Sequence, residues 1–208
     1  MIKAVLFDVD GVLVNSADAN VKFYQDLFSH FGYPPPEKET LLHLLHLPMM
    51  DVIKTVTKQT ELKEIQKIWL AGKDRTVPYP HSLIKIPDYL NETIKSLSTL
   101  YILGVVTSRV EGGVYEVPQL AHLEKYFKTT VYYENTEKHK PDPEPLLLAS
   151  HRLSILPKEI AYVGDMKSDM KAADAAGMKA ILFKENNNCD AEYWTSSFKE
   201  LPHIISCL

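Results

Sequence analysis

With 208 residues, 45% of them hydrophobic and 24% charged, the chain is long enough for one sizeable core, or a core plus an inserted module. A net charge of −4, with no basic stripe interleaved with aromatics, argues against a nucleic-acid binder. No apolar run approaches the ~18–20 residues of a membrane span, and no basic segment leading into a long apolar one suggests a signal peptide.

The first stretch, MIKAVLFDVDGVLV, opens with an apolar run over residues 4–7 of the kind a buried parallel strand uses. It ends in Asp8-Val9-Asp10-Gly11. Residues two apart on an extended backbone point the same way, so Asp8 and Asp10 are expected to face one space past the strand end. Two carboxylates held together repel unless a cation or a shared proton offsets the repulsion. Gly11 permits a sharp turn and lets backbone N–H groups approach a ligand.

Residues 16–31 read as a helix, with Ser16 at the cap position and Val21, Tyr24, Leu27, Phe28 and Phe31 at helical spacing. Gly32 and the run Pro34-Pro35-Pro36 stop it. Short helices are expected over 37–47, 48–57 and 61–73, and residues 75–83, with Pro78 and Pro80, read as a linker. A helix over 88–97 then precedes an apolar strand over 101–106 that ends in Thr107-Ser108-Arg109. A mixed, helical stretch at 115–126, a short strand at 130–133 and a helix at 143–153 with proline in its first turn follow. A fourth strand at 160–163 ends in Gly164-Asp165, and a small-residue helix at 168–176 closes on Gly177. A fifth strand at 180–183 leads into a polar tail that is helical near 198–205.

Strands alternating with helices predict the α/β class and a doubly wound parallel sheet. The helical stretch after the first strand breaks that alternation. It reads as an insertion, giving a core of residues 1–14 and 83–208 and a helical cap of residues 15–82. Two cysteines, Cys189 and Cys207, lie outside any metal-ligand spacing and fit a reducing cytoplasm.

In an open α/β sheet, ligands sit beyond the carboxyl ends of the strands. Three such ends carry polar residues directly after an apolar run: Asp8 with Asp10, Thr107 with Ser108, and Asp165. Asp169 lies one helical turn past Asp165, and Lys140 precedes the 143–153 helix in HKPDPEP. Singly, each has a plain structural explanation: helix caps, a solvated loop charge, acids at a helix N-terminus. Together they supply hard oxygen ligands for Mg²⁺, a cation and donors to offset phosphoryl charge, and a carboxylate nucleophile.

The order DVDGV, VVTSR, HKPDPEP, VGDMKSD resembles the four motifs of the haloacid dehalogenase superfamily. It most resembles the small phosphatases with a helical cap inserted after the first motif, such as phosphoglycolate phosphatase and β-phosphoglucomutase. The resemblance covers essentially the whole chain and implies a Rossmann-like core. It implies that Asp8 is the nucleophile that forms an aspartyl-phosphate, and that Asp10 protonates the leaving oxygen and then activates water. Thr107 takes the place of the second motif's hydroxyl, with Ser108 beside it offering further contacts. Lys140 binds the phosphoryl group and offsets the charge on Asp8. Asp8, Asp165 and the backbone carbonyl of Asp10 ligate Mg²⁺, and Asp169 supports the metal through water.

Where relatives often carry a glycine-containing turn near the second cap helix, this chain has Leu45-His46-Leu47-Pro48, a departure from the phosphoglycolate and β-phosphoglucose pattern. Two roles are open to His46: a substrate contact in the cleft, or a half-buried cap histidine paired with His43. Arg109 stands where relatives more often have asparagine or lysine, and reaches either the leaving group or the surface. Arg75, in the return linker, is a similar candidate. Gly112-Gly113 predicts an exposed, mobile loop. Cap opening over linkers near 14–16 and 78–83 is expected to gate access.

The expected function is Mg²⁺-dependent hydrolysis of a small organic phosphomonoester in the cytoplasm, by a monomer or homodimer without nucleic-acid or membrane partners. A phosphomutase is the near alternative, with Asp10 returning its proton to a sugar hydroxyl. A non-catalytic binding protein on the same fold is another, and the intact acids and Lys140 count against it. A haloacid dehalogenase needs no metal cluster, and a phospho-acceptor domain orders its acids differently.

Overall fold

The computed structural model describes residues 1–187 and 190–208, so Cys189 lies outside the described residues, whereas Cys207 is exposed. The chain divides into two compact units: Met1–Asn15 with Lys85–Leu208, and Ser16–Ile84.

The second unit is helical, with α1 (Ala17–His30), α2 (Lys38–Leu44), α3 (Met49–Thr57) and α4 (Leu62–Lys73). Its apolar face is the one the spacing of α1 predicts: Val21, Tyr24, Leu27 and Phe28 are buried, with Phe23 beside them, against Leu41, Val52, Ile53, Ile65 and Ile68. Ser16 stands at the N-cap of α1, but its hydroxyl accepts the Asn20 side-chain amide at 3.2 Å instead of a backbone N–H. The segment expected to be a plain linker contains a single 3₁₀ turn, His81–Leu83.

The first unit is a parallel sheet of β1 (Ala4–Phe7), β2 (Ile102–Val106), β3 (Phe127–Val131), β4 (Ile160–Gly164), β5 (Lys179–Phe183) and β6 (Tyr193–Thr195). Between the strands run α5 (Leu90–Leu97), α6 (Pro118–Ala121), α7 (Glu144–Leu153) and α8 (Lys167–Ala176), with α9 (Leu201–Ser206) at the end. The strand order is β3-β2-β1-β4-β5-β6, and every pairing is parallel. The chain winds one way from β1 through β3 and the other way from β4, so the order reverses between β1 and β4.

Side-chain parity builds the two layers. Ala4, Leu6, Ile160 and Tyr162 pack with Leu146 and Ala149 of α7 and with Ala172, Ala173 and Ala176 of α8. Val5, Phe7, Ala161, Val163 and Ile181 point to the other face and are fully buried too. On that face Phe183 meets Phe198 at 4.8 Å between ring centres, and Thr93 of α5 donates to the Phe198 carbonyl at 3.1 Å. The chain leaves the core at Asn15 and re-enters at Lys85, and these two residues exchange backbone hydrogen bonds of 2.8 and 3.0 Å.

Three local expectations are corrected. Five strands were expected and six are present among the described residues, because β6 is three residues long and follows a polar stretch with no apolar run to announce it. The third strand runs over 127–131 instead of 130–133. Its pairing with β2 from Leu103 to Val106 fixes that register, and the β-favouring Tyr133 falls in a 3₁₀ turn. The 115–126 stretch is not one helix but the short α6 and a 3₁₀ turn, Glu124–Tyr126. No helix among the described residues is long and apolar enough to cross a membrane.

Candidate active site

Asp8 follows β1 directly and continues the parity of Ala4 and Leu6, so its side chain emerges on the α7/α8 side of the sheet. Its backbone N–H donates to the Val163 carbonyl at 2.9 Å, which ties the end of β1 to the end of β4, where Asp165 follows. The Val9 N–H donates to Asp8 Oδ1 at 2.7 Å, leaving Oδ2 to face Lys140 at 2.8 Å.

Lys140 sits in the loop before α7 and points its ammonium at three oxygens. They are Asp8 Oδ2 at 2.8 Å, Asp169 Oδ1 at 2.7 Å and the Tyr162 hydroxyl at 2.9 Å. Asp169, in the first turn of α8, is fixed in turn: Tyr162 donates to its Oδ1 at 3.1 Å, and the Met166 N–H donates to its Oδ2 at 3.0 Å. Gly164 stands behind it, where a Cβ would run into the Asp169 side chain. Gly11, at φ +78°, does the same for Asp165, whose carboxylate a Cβ would strike. The Gly11 N–H itself donates to the Val14 carbonyl at 2.8 Å and closes the turn.

The electrostatics follow from crowding. Burial pushes the Asp8 carboxyl up to about 7 against the opposing pull of Lys140, and the charge of Asp169 adds to the rise. Asp165 goes up to about 8, from burial first and then from the charges of Asp169 and Asp8. Burial works against the Lys140 ammonium, but Asp169 and Asp8 more than offset it, and the lysine holds its proton well above its ordinary range. Oxygens of Asp8, Asp165 and Asp169 lie within 4.8 Å of one another. A hard-oxygen set whose mutual repulsion one lysine does not cancel fits a small divalent cation.

Thr107 ends β2 and is buried, its hydroxyl accepting the Arg109 N–H at 3.2 Å, whereas Ser108 is exposed. Arg109 reaches neither bare surface nor the Asp8 cluster. Its Nε and Nη2 grip Asp10 Oδ2 and Oδ1 at 2.8 and 2.7 Å, and its Nη1 donates to the Gly113 carbonyl at 2.6 Å. The Asp10 carboxylate is thus turned to Arg109, and its charge still adds to the rise at Asp8. The predicted exposed loop is corrected accordingly: Gly112 is exposed, but Gly113 is buried and held by Arg109. His46 lies exposed in the turn between α2 and α3, not half-buried against His43, which is also exposed.

Two participants escaped the sequence reading. Tyr162 sits inside an apolar strand, where its hydroxyl is the one polar side-chain group in IAYVG, the only signal it gave. The Arg109–Asp10 pair joins residues 99 apart in the chain and depends on β1 and β2 lying side by side.

A family model described as haloacid dehalogenase-like hydrolase matches residues 5–183. A Clostridium perfringens protein provisionally named a PpaX pyrophosphatase is 33% identical over 188 residues, covering 88% of this chain and 85% of its own. A phosphorylated carbohydrates phosphatase of Thermotoga maritima is 27% identical over 183 residues, covering 86% and 83%. Among solved structures, a HAD-superfamily hydrolase of subfamily IA from Geobacter sulfurreducens superposes with a TM-score of 0.74 at 27% identity, over 98% of this chain and 96% of that one.

Proposed function

This chain belongs to the haloacid dehalogenase-like hydrolases, and from that membership we propose that it is a Mg²⁺-dependent phosphatase of small organic phosphate monoesters. The observation that carries the reading is the Lys140 ammonium placed between Asp8 and Asp169 at 2.8 and 2.7 Å beside Asp165, at the strand-order reversal. Relatives named for phosphorylated carbohydrates and phosphoglycolate support the substrate class, and one named for pyrophosphate extends it to a phosphoanhydride.

In this reading Asp8 Oδ2 attacks phosphorus and forms an aspartyl-phosphate. A carboxylate approaching a phosphate dianion meets like-charge repulsion, and Lys140, already bonded to the attacking oxygen, offsets it. Tyr162 and Asp169 hold the ammonium in place. Asp10, released from Arg109 and protonated from solvent once the guanidinium no longer stabilises its charge, gives that proton to the leaving oxygen and later takes one from water. Thr107 offers its hydroxyl to the phosphoryl oxygens. Asp8, Asp165 and the Asp10 carbonyl would hold Mg²⁺, with Asp169 in support; bound there, the ion neutralises charge on the phosphoryl oxygens. The helical unit of residues 16–84 is the cap, with His46 a candidate substrate contact.

The test is phosphate release from p-nitrophenyl phosphate and a panel of sugar, nucleotide and two- and three-carbon phosphates, with Mg²⁺ and with EDTA. Metal-dependent release is expected. Bisphosphate-dependent isomerisation exceeding release would replace the phosphatase with a mutase, and no turnover of either kind would leave a binding protein.

A further inference from the structure

Arg109 is built as a fixed fork. Its N–H donates to Thr107 Oγ1 at 3.2 Å, its carbonyl accepts the Tyr133 N–H at 2.9 Å, and its Nη1 is anchored on the Gly113 carbonyl at 2.6 Å. The remaining face of the guanidinium, Nε and Nη2, carries the Asp10 carboxylate. The two partners differ in burial: the Arg109 side chain is 12% exposed and that of Asp10 is 35% exposed. The cation is therefore the sunken, anchored member of the pair, and the anion is the outer one. The same two parallel donors fit a phosphate or a second carboxylate as well as they fit Asp10.

We propose that this fork selects substrates whose leaving group is itself anionic, exchanging the Asp10 carboxylate for a phosphate or carboxylate on the departing half of the substrate. The inference rests on the phosphatase reading, in which Asp10 serves the leaving oxygen. Whatever departs is brought to Asp10, and hence to Arg109. An anionic leaving group takes over the two N–H donors and frees Asp10 to turn toward the scissile oxygen in the same exchange. A neutral leaving group offers the fork nothing, and Asp10 must then leave a bidentate partner without replacement. The favoured class is thus diphosphates and phosphate esters of short acids, over esters of plain alcohols.

The test pairs two non-hydrolysable ligands that differ by one anionic group, methylenediphosphonate and methylphosphonate. Their binding is measured by calorimetry in excess Mg²⁺ to the wild type and to Arg109→Gln and Arg109→Lys. The wild type is expected to bind the diphosphonate at least tenfold more tightly. Arg109→Gln is expected to remove that preference, and Arg109→Lys, which keeps the charge and loses the fork, to restore part of it. In parallel, the kcat/KM ratio of pyrophosphate to p-nitrophenyl phosphate is expected to fall at least tenfold in Arg109→Gln. No preference in the wild type, or the same preference in all three proteins, overturns the inference. If Arg109→Gln fails to fold by circular dichroism, the Arg109→Lys comparison decides alone. A wild type that releases phosphate from neither compound sinks the phosphatase reading, while the binding ratios still decide the role of Arg109.

Discussion

Lys140 and Asp169 meet at 2.7 Å, Nζ to Oδ1, with side chains only 6% and 1% exposed, although one precedes α7 and the other lies in the first turn of α8. A buried pair of this kind is costly to break from one side, because the partner is left charged and dry. Lys140→Met is therefore expected to destabilise the fold by about 3–5 kcal/mol. Loss of a donor aimed at developing charge should also lower turnover by about 10²–10³-fold. Urea unfolding and steady-state kinetics on the same preparation check both. A stable Lys140→Met protein with full turnover would remove the lysine from the site.

Tyr162 invites a finer cut. Its hydroxyl bridges Lys140 and Asp169, which also touch each other directly. Tyr162→Phe is expected to cost about 1–2 kcal/mol of stability, and to lower kcat while leaving KM nearly unchanged, because the phenol acts through Lys140 and not on substrate. A change confined to KM would contradict that positioning role.

Asp8→Asn keeps the shape of the side chain while removing the nucleophile, although an amide accepts from only one of the two donors, the Val9 N–H and Lys140, that the carboxylate now serves. No detectable turnover is expected from a variant that remains folded by circular dichroism. Asp10→Asn removes acid–base help worth about 10²–10⁴-fold and should show that loss with both aryl and alkyl esters. Wild-type rates in either variant, read by phosphate release, would sink the assigned mechanism.

Burial and neighbouring acids push the Asp8 carboxyl up to about 7 and that of Asp165 up to about 8 in the folded protein, from the ordinary 3.8. Between about pH 4 and pH 8 the folded state therefore holds more protons than the unfolded chain, and stability falls as pH rises through that window. A divalent cation favours the ionised carboxylates and reverses the trend. Mg²⁺ is expected to raise the melting temperature more at pH 8 than at pH 5. An equal rise at both, or none, in a thermal-shift series would count against a metal among these acids.

The strand ends were legible because an apolar run that stops at an acid is a local signal: Asp8 after Phe7 and Asp165 after Gly164 lie where the pattern put them. Lys140 was legible through the order of the motifs, since nothing local distinguishes it from a solvated loop lysine. The grip of Arg109 on Asp10 was not legible, because it requires knowing which strands are neighbours. Tyr162 was hidden for the opposite reason: burial on an apolar strand is what its pattern predicts, and the hydroxyl's partners arrive from elsewhere. Strand β6 has no periodicity to read, and its pairing with β5 alone defines it.

The paired backbones of Asn15 and Lys85 carry a further consequence. To the sheet, the whole excursion between them is the content of a hairpin turn, closed at its base by two hydrogen bonds. Closure entropy rises only with the logarithm of the enclosed length, about 0.6 kcal/mol per doubling. Residues added to or removed from the excursion thus barely tax the strands that hold Asp8 and Asp165. In closure entropy, the length of the helical excursion is thereby nearly uncoupled from the sheet that carries the acids.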